Sequence, residues 1–154
     1  MHPNVEAVAA ALVAAGIRTE VREVDASTRT AADAAAALGC PVGAIANSLV
    51  FVADGEPLLV LTSGAHRVDL GVLAGRIGAG AVVRATPDEV RAATGQPIGG
   101  VAPVGHRTPL RVLIDRALSA HETIWAAAGT PHAVFPTTYE ELRRATRADE
   151  VEVD

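Results

Sequence analysis

Lysine is absent: all 13 basic side chains among the 154 residues are arginine. That removes Schiff-base chemistry, a lysine general base and the lysine of a Walker-type phosphate loop. No glycine-rich phosphate loop of that kind occurs either. Cysteine occurs once, as Cys40, so no internal disulfide can form, which fits a reducing compartment. Cys40 has no basic neighbour in sequence and reads as a structural thiol. Neither it nor the five histidines show zinc-ligand spacing. Aromatic residues make up only 3%, namely Phe51, Trp125, Phe135 and Tyr139. The core must therefore come from Val, Leu, Ile and Ala. No apolar run reaches the length of a membrane span, and the first sixteen residues lack the basic start of a signal peptide. The expectation is a cytoplasmic protein with no membrane partner.

What is present is an apolar chain, 49% hydrophobic, with a net charge of −5. Its length suits one domain with a sizeable core. The acidic balance argues against tracking along a long nucleic acid, which needs a basic face, but is compatible with holding an RNA end.

Local signals give an α+β class. Asn4 is placed to cap a helix running to about Ala15 and closed by Gly16. Thr19–Val24 alternates as a strand. Thr30-Ala31-Ala32-Asp33 resembles a capping box and opens an alanine-rich helix ending at Gly39. Asn47–Ala53 and Leu58–Thr62 read as a hairpin around Asp54-Gly55-Glu56-Pro57. Asp69 opens a short helix to Arg76, and Ala81–Arg84 reads as a strand. Thr86-Pro87-Asp88-Glu89 is a full capping box with proline at the first helical position. After the irregular Gln96–Pro109, strands are expected at Leu110–Ile114, Thr123–Ala126 and His132–Phe135. Thr138 caps a last helix, and the tail adds an edge strand. About seven short strands interrupted by four or five helices, with irregular alternation and short hairpins, predict a mixed sheet rather than a doubly wound parallel one.

Several segments carry possible chemistry. In Gly99-Gly100-Val101-Ala102-Pro103-Val104-Gly105-His106, glycines let backbone N–H groups approach a ligand and prolines stiffen the loop. Such N–H groups can hold a carbonyl oxygen or a developing oxyanion; the alternative is an ordinary connection. His132 follows a Gly129-Thr130-Pro131 turn, where it either orients a water or is structural. His66 lies in a loop after a strand. Ser48 and Ser63 lie outside any nucleophile-elbow pattern. Asp115 either orients a site group or caps the turn after its strand.

The ordered set ANSLVF, LVLTSGAHRVDLGVLA, ATPDEVRAATGQPIGGVAPVGH, PLRVLIDRAL, IWAAAGTPHAVF and TYEEL resembles the YbaK/EbsC family. That family comprises free-standing aminoacyl-tRNA deacylases and the editing insertion domain of bacterial prolyl-tRNA synthetase. The resemblance runs from about Thr30 to Leu142. It implies a mixed, barrel-like β-sheet of about seven strands flanked by helices, an α+β fold. It also implies hydrolysis, without metal or cofactor, of the ester joining a wrong amino acid to the tRNA acceptor end, in trans beside prolyl-tRNA synthetase. It implies catalytic contributions from Asn47, Gly99, Gly100 and His132. The implied substrate contacts are Ser48, Thr62, Ser63, Gly64, His66, Arg67, Val101, Pro103, Gly105, His106, Asp115 and Gly129. The family usually has lysine where this chain has Asn47. Hydrogen bonding by Asn47, with charge supplied by an arginine such as Arg67, would keep the activity; a catalytically silent binding module is the alternative.

Overall fold

The computed structural model describes residues Met1 to Asp154. In chain order the elements are α1 (Pro3–Ala14), β1 (Arg22–Glu23), α2 (Ala31–Leu38), β2 (Ile45–Ala53), β3 (Glu56–Ser63), α3 (Leu70–Ile77) and β4 (Val82–Arg84). They continue with α4 (Pro87–Thr94), β5 (Arg111–Asp115), β6 (Ile124–Ala127), β7 (Ala133–Thr137), α5 (Tyr139–Thr146) and β8 (Asp149–Val151). Short 3-10 turns cover Val42–Ala44 and Arg116–Ala120. The eight strands form one mixed sheet in the order β1-β7-β6-β2-β3-β5-β8, with β4 also on β2. The eighth strand is the tail. No helix is long and apolar enough to cross a membrane.

Caps set the helix ends. The Thr30, Asp69, Thr86 and Thr138 side chains each accept an N–H of the first turn. The first helix differs from expectation: its cap is His2, whose Nδ1 accepts from Asn4 N at 3.0 Å. Asn4 already lies inside the helix, and its amide donates to Gly129 O instead.

Two strands also differ in extent. β1 is only Arg22–Glu23 because its antiparallel partner β7 carries Pro136 further along. Proline has no N–H for the ladder, and Thr19 Oγ1 bonds the Pro136 carbonyl at 2.6 Å. β3 begins earlier, at Glu56, so Pro57 falls inside it. That position is tolerated because the β5 pairing begins only at Leu58. The hairpin turn is Asp54-Gly55, both with positive φ, the geometry of a tight two-residue loop.

Side chains alternate across the sheet. One face sets Ala46, Val50, Leu59, Leu61, Ile114, Ala126 and Phe135 against Val5, Val8 and Leu12 of α1 and Val90 of α4. The other sets Phe51, Leu58, Val60 and Leu113 against Leu73 of α3, while Ala34 and Ala35 of α2 cover Ile45. Strand β2 is the hub. One edge pairs with β3 along its whole length. The other pairs with β6 only at Ile45–Ala46 and with β4 only at Phe51–Ala53. Between those partners, Asn47–Leu49 faces no strand.

Candidate functional site

The site lies beside that interruption. A small recess of about 30 Å³ is lined by Thr28–Ala31, Ala34, Ile45–Ser48, Gly99, Val101, Trp125–Ala127 and Val134. An open trough of about 580 Å³ adjoins it, bounded by Asn47–Phe51, His66–Val68, Leu70, Arg84, Ala85, Val90 and Ile98. Arg29, Thr30, Ala31, Asn47, Ser48, Gly99 and Val101 line both. The two spaces therefore meet where β2, the start of α2 and the glycine loop converge.

The loop is braced from within. Gln96, almost fully buried, accepts from Ala102 N at 2.7 Å through Oε1 and donates to Gly105 O at 3.4 Å. His106 Nε2 lies 2.6 Å from Ala102 O. Burial pushes the His106 pKa below its ordinary value, more strongly than this hydrogen bond raises it. The neutral ring with its proton on Nε2 donates to that carbonyl. Gly99 has φ of +84°, and a Cβ there would sit 2.4 Å from Arg29 Cγ. A Cβ on Gly100 would press on the Thr130 backbone at 2.7–2.8 Å. Glycine at both positions permits this approach. The N–H groups of Gly100 and Ala102 are turned inward, to Pro97 O and Gln96 Oε1. They are not the free donors that the sequence suggested.

A second brace holds the loop after β3. Asp115 is buried, and Oδ2 accepts from Ser63 N at 3.0 Å and stands 2.9 Å from His66 Nδ1. Its Oδ1 accepts from Ala117 N. The Asp115 side chain thus caps the turn after β5 and orients His66 in the trough wall.

The trough is lined by Arg29, Arg67, Arg84 and His66, and by no aspartate or glutamate. In a chain with 18 acidic and 13 basic residues, that is a marked local reversal of sign. None of the three arginines takes part in an ion pair. Such a cleft concentrates an anionic ligand. Leu49, Phe51, Val68, Leu70 and Ile98 give it an apolar wall.

The structure thus brings Asn47, Ser48, Gly99, Val101, His66 and Arg67 to one place. It sets other sequence candidates behind or away from it. Gly100, Pro103, Gly105 and His106 build the loop but line neither space. Gly129 packs on the start of α1, with its Cβ position 2.9 Å from Asn4 O. Gly64 lies against the Val42 carbonyl, and Ser63 Oγ donates to Gly43 O at 2.8 Å. Thr62 is buried across the hairpin from Asn47. His132 is exposed, its carbonyl accepting from Val24 N, and it lines neither space. Sequence reasoning missed Arg29, Arg84, Gln96 and Trp125. Only the position of Arg29 beside the Thr30 cap offered a signal. No group of three or more His, Cys, Asp or Glu side chains stands close enough to hold a metal ion.

Ser48 Oγ and Thr62 Oγ1 are buried without a hydrogen-bond partner. Buried polar atoms are seldom left so, and Ser48 lies on the wall shared by recess and trough.

Known proteins share this architecture. A crystal structure of a candidate trans-editing enzyme for prolyl tRNA synthetase is 44% identical, with a TM-score of 0.93 over 100% of this chain and 98% of its own. The uncharacterised protein YwhH of Bacillus subtilis (strain 168) is 31% identical over 124 residues, 80% of this chain and 78% of YwhH. A proline–tRNA ligase of Nitratidesulfovibrio vulgaris (strain Hildenborough) is 38% identical over 89 residues, 58% of this chain but only 16% of the ligase. The chain thus spans a small part of that ligase's length. Residues 25–145 match the aminoacyl-tRNA editing domain, and the chain belongs to that family.

Proposed function

We propose that the protein is a trans-editing deacylase: it hydrolyses the ester linking a small, wrong amino acid to the 3′ end of a tRNA, in first place a tRNA for proline. The observation that carries this reading is the carboxylate-free trough with Arg29, Arg67 and Arg84, joined to a recess of about 30 Å³. The arginines suit the phosphates of a single-stranded acceptor end, and the apolar wall suits its bases. The recess is small, and its lining of Ala31, Ala34, Ala46, Val101 and Ala126 suits a small side chain such as that of alanine or serine over larger ones.

The chemistry asks little of the protein. Water adds to the ester carbonyl carbon, and the carbonyl electron pair moves to oxygen. Collapse of the tetrahedral species breaks the bond to the ribose oxygen, which takes a proton. One water is consumed, and a free amino acid and an RNA hydroxyl are released. An activated ester needs mainly positioning and oxyanion stabilisation. Asn47 supplies amide donors and an acceptor at the junction of recess and trough. His66, held by Asp115, supplies an oriented imidazole in the trough wall. Prolyl-tRNA synthetase is the partner beside which such clearance is useful.

The test is release of amino acid from one tRNA for proline charged in turn with glycine, alanine, serine, valine and proline. The expected order has alanine and serine fastest and valine and proline slowest. Rates that ignore side-chain size contradict the role given to the recess.

A second reading rests on Asn47 itself, an uncharged residue where the resembling family usually has lysine: a silent module that binds the aminoacyl end without cleaving it. Asn47→Lys separates the two. An inert native protein that gains activity with lysine supports the silent reading; an active native protein removes it.

A further inference from the structure

The hydrogen-bond parity of β2 follows from two contacts. Gly64 N donates to Ile45 O at 2.9 Å, and Ala85 N donates to Val50 O at 3.4 Å. Odd-numbered residues of β2 therefore turn their N–H and C=O toward β3, and even-numbered residues turn theirs to the opposite edge. On that edge Ala46 is met by β6 and Val50 and Val52 by the β4 segment. Ser48, midway between, meets no strand. Its N–H and C=O point into the gap beside the recess and trough, and its Oγ is buried without a partner. The Ser48 N–H and C=O thus meet no strand at the cavity junction, beside an Oγ that is itself buried without a partner, whereas such groups are ordinarily paired.

Hydrogen-bonding positions on one strand edge repeat about every 6.6–6.8 Å, so the gap from Ala46 to Val50 admits one residue. A ligand that fills it needs one donor and one acceptor with the spacing of a single amino acid. The α-ammonium and carbonyl of an aminoacyl group have that spacing. We infer that Ser48 is the docking residue for the aminoacyl moiety, pairing with it as one residue of an added antiparallel strand.

In this arrangement the Ser48 carbonyl accepts from the α-ammonium and the Ser48 N–H donates to the ester carbonyl oxygen. The same N–H stays on that oxygen as it becomes an oxyanion, a part that the inward-turned Gly100 and Ala102 N–H groups cannot play. The ligand class follows: α-amino acyl groups with a free amine, in preference to N-acylated or deaminated ones. The inference deepens the editing reading and rests on it for the identity of the leaving RNA, but its test does not require cleavage.

The probe is a stable amide, 3′-alanylamino-3′-deoxyadenosine, compared with its N-acetylalanyl and propionyl counterparts. Binding is followed in the ¹⁵N–¹H spectrum of the full chain. The expected result is a downfield shift of the Ser48 amide with the alanyl probe, and affinity weaker by about tenfold or more for the other two, the loss of a charge-assisted hydrogen bond. Equal binding of the three, a Ser48 amide unmoved while other cavity amides shift, or no binding of the alanyl probe overturns it. A shifted Ser48 amide in a protein that cleaves no charged tRNA upholds this docking and sinks the deacylase reading. Cleavage of alanyl and N-acetylalanyl tRNA at equal rates does the reverse.

Discussion

His66 Nδ1 stands 2.9 Å from Asp115 Oδ2, and the same carboxylate collects the N–H groups of Ser63 and Ala117. One buried side chain therefore ties the end of β3, the loop after it and the turn after β5. Asp115→Asn sets an amide N–H₂ against groups that are themselves donors. We expect a loss of about 2–4 kcal/mol of folding stability, read as a lower urea midpoint with an unchanged slope. His66→Ala removes one donor and leaves the two backbone contacts, so its loss should be smaller. Equal losses would mean that the backbone contacts contribute nothing.

Arg67 and Arg84 reach the trough from separate elements. Arg67→Ala and Arg84→Ala should each weaken binding of a CCA-ended RNA. Each should also flatten the dependence of log affinity on log salt by about 0.7, the share of one phosphate contact on a single strand. Filter binding across a salt series measures this. An unchanged slope in both variants would remove the arginines from the RNA path.

The two orphan hydroxyls make a stability prediction of their own. Ser48→Ala and Thr62→Val delete buried oxygens that have no partner. Each should raise the stability of the free protein by about 1 kcal/mol, or Tm by about 2–4 °C. Gains in thermal unfolding identify the native groups as a strain kept for another purpose; a fall in Tm would mean that each is satisfied in solution.

His106 gives a pH dependence. Its folded pKa lies below the ordinary 6.5, chiefly through burial. In the window between those two values the unfolded chain takes up a proton that the folded chain refuses. The His106 contribution is therefore complete above about 6.5 and declines as pH falls through that window. Urea midpoints from pH 8 to 5 should show a steeper acid decline for the native chain than for His106→Gln, whose amide can still reach Ala102 O. Parallel profiles would show that His106 titrates alike in both states.

The sequence shows best what is local. The Thr30, Asp69, Thr86 and Thr138 caps and the Asp54-Gly55 turn are each decided within a few residues, and the structure has them in place. The α1 cap is not legible in this way, because a histidine nitrogen does the work of the usual oxygen. Thr19–Val24 alternates like a full strand, but its length depends on Pro136, more than a hundred residues away. The site divides in the same manner. Asn47, Ser48 and the glycine loop stand out by type and spacing. Arg29 and Arg84 do not, because an exposed arginine looks the same in sequence wherever the fold carries it. Gln96 reads as a polar loop residue until its amide is seen bridging Ala102 and Gly105.

The central claim is that an aminoacylated RNA end is held at the junction of recess and trough and cleaved there. Its most direct test is the single-turnover decay of alanyl-tRNA for proline with the native protein in excess, beside the Arg67→Ala/Arg84→Ala double variant. The account predicts decay well above the spontaneous rate for the native protein and a clear loss in the variant at low protein concentration, recovered as protein is raised. Native decay no faster than buffer alone would contradict it.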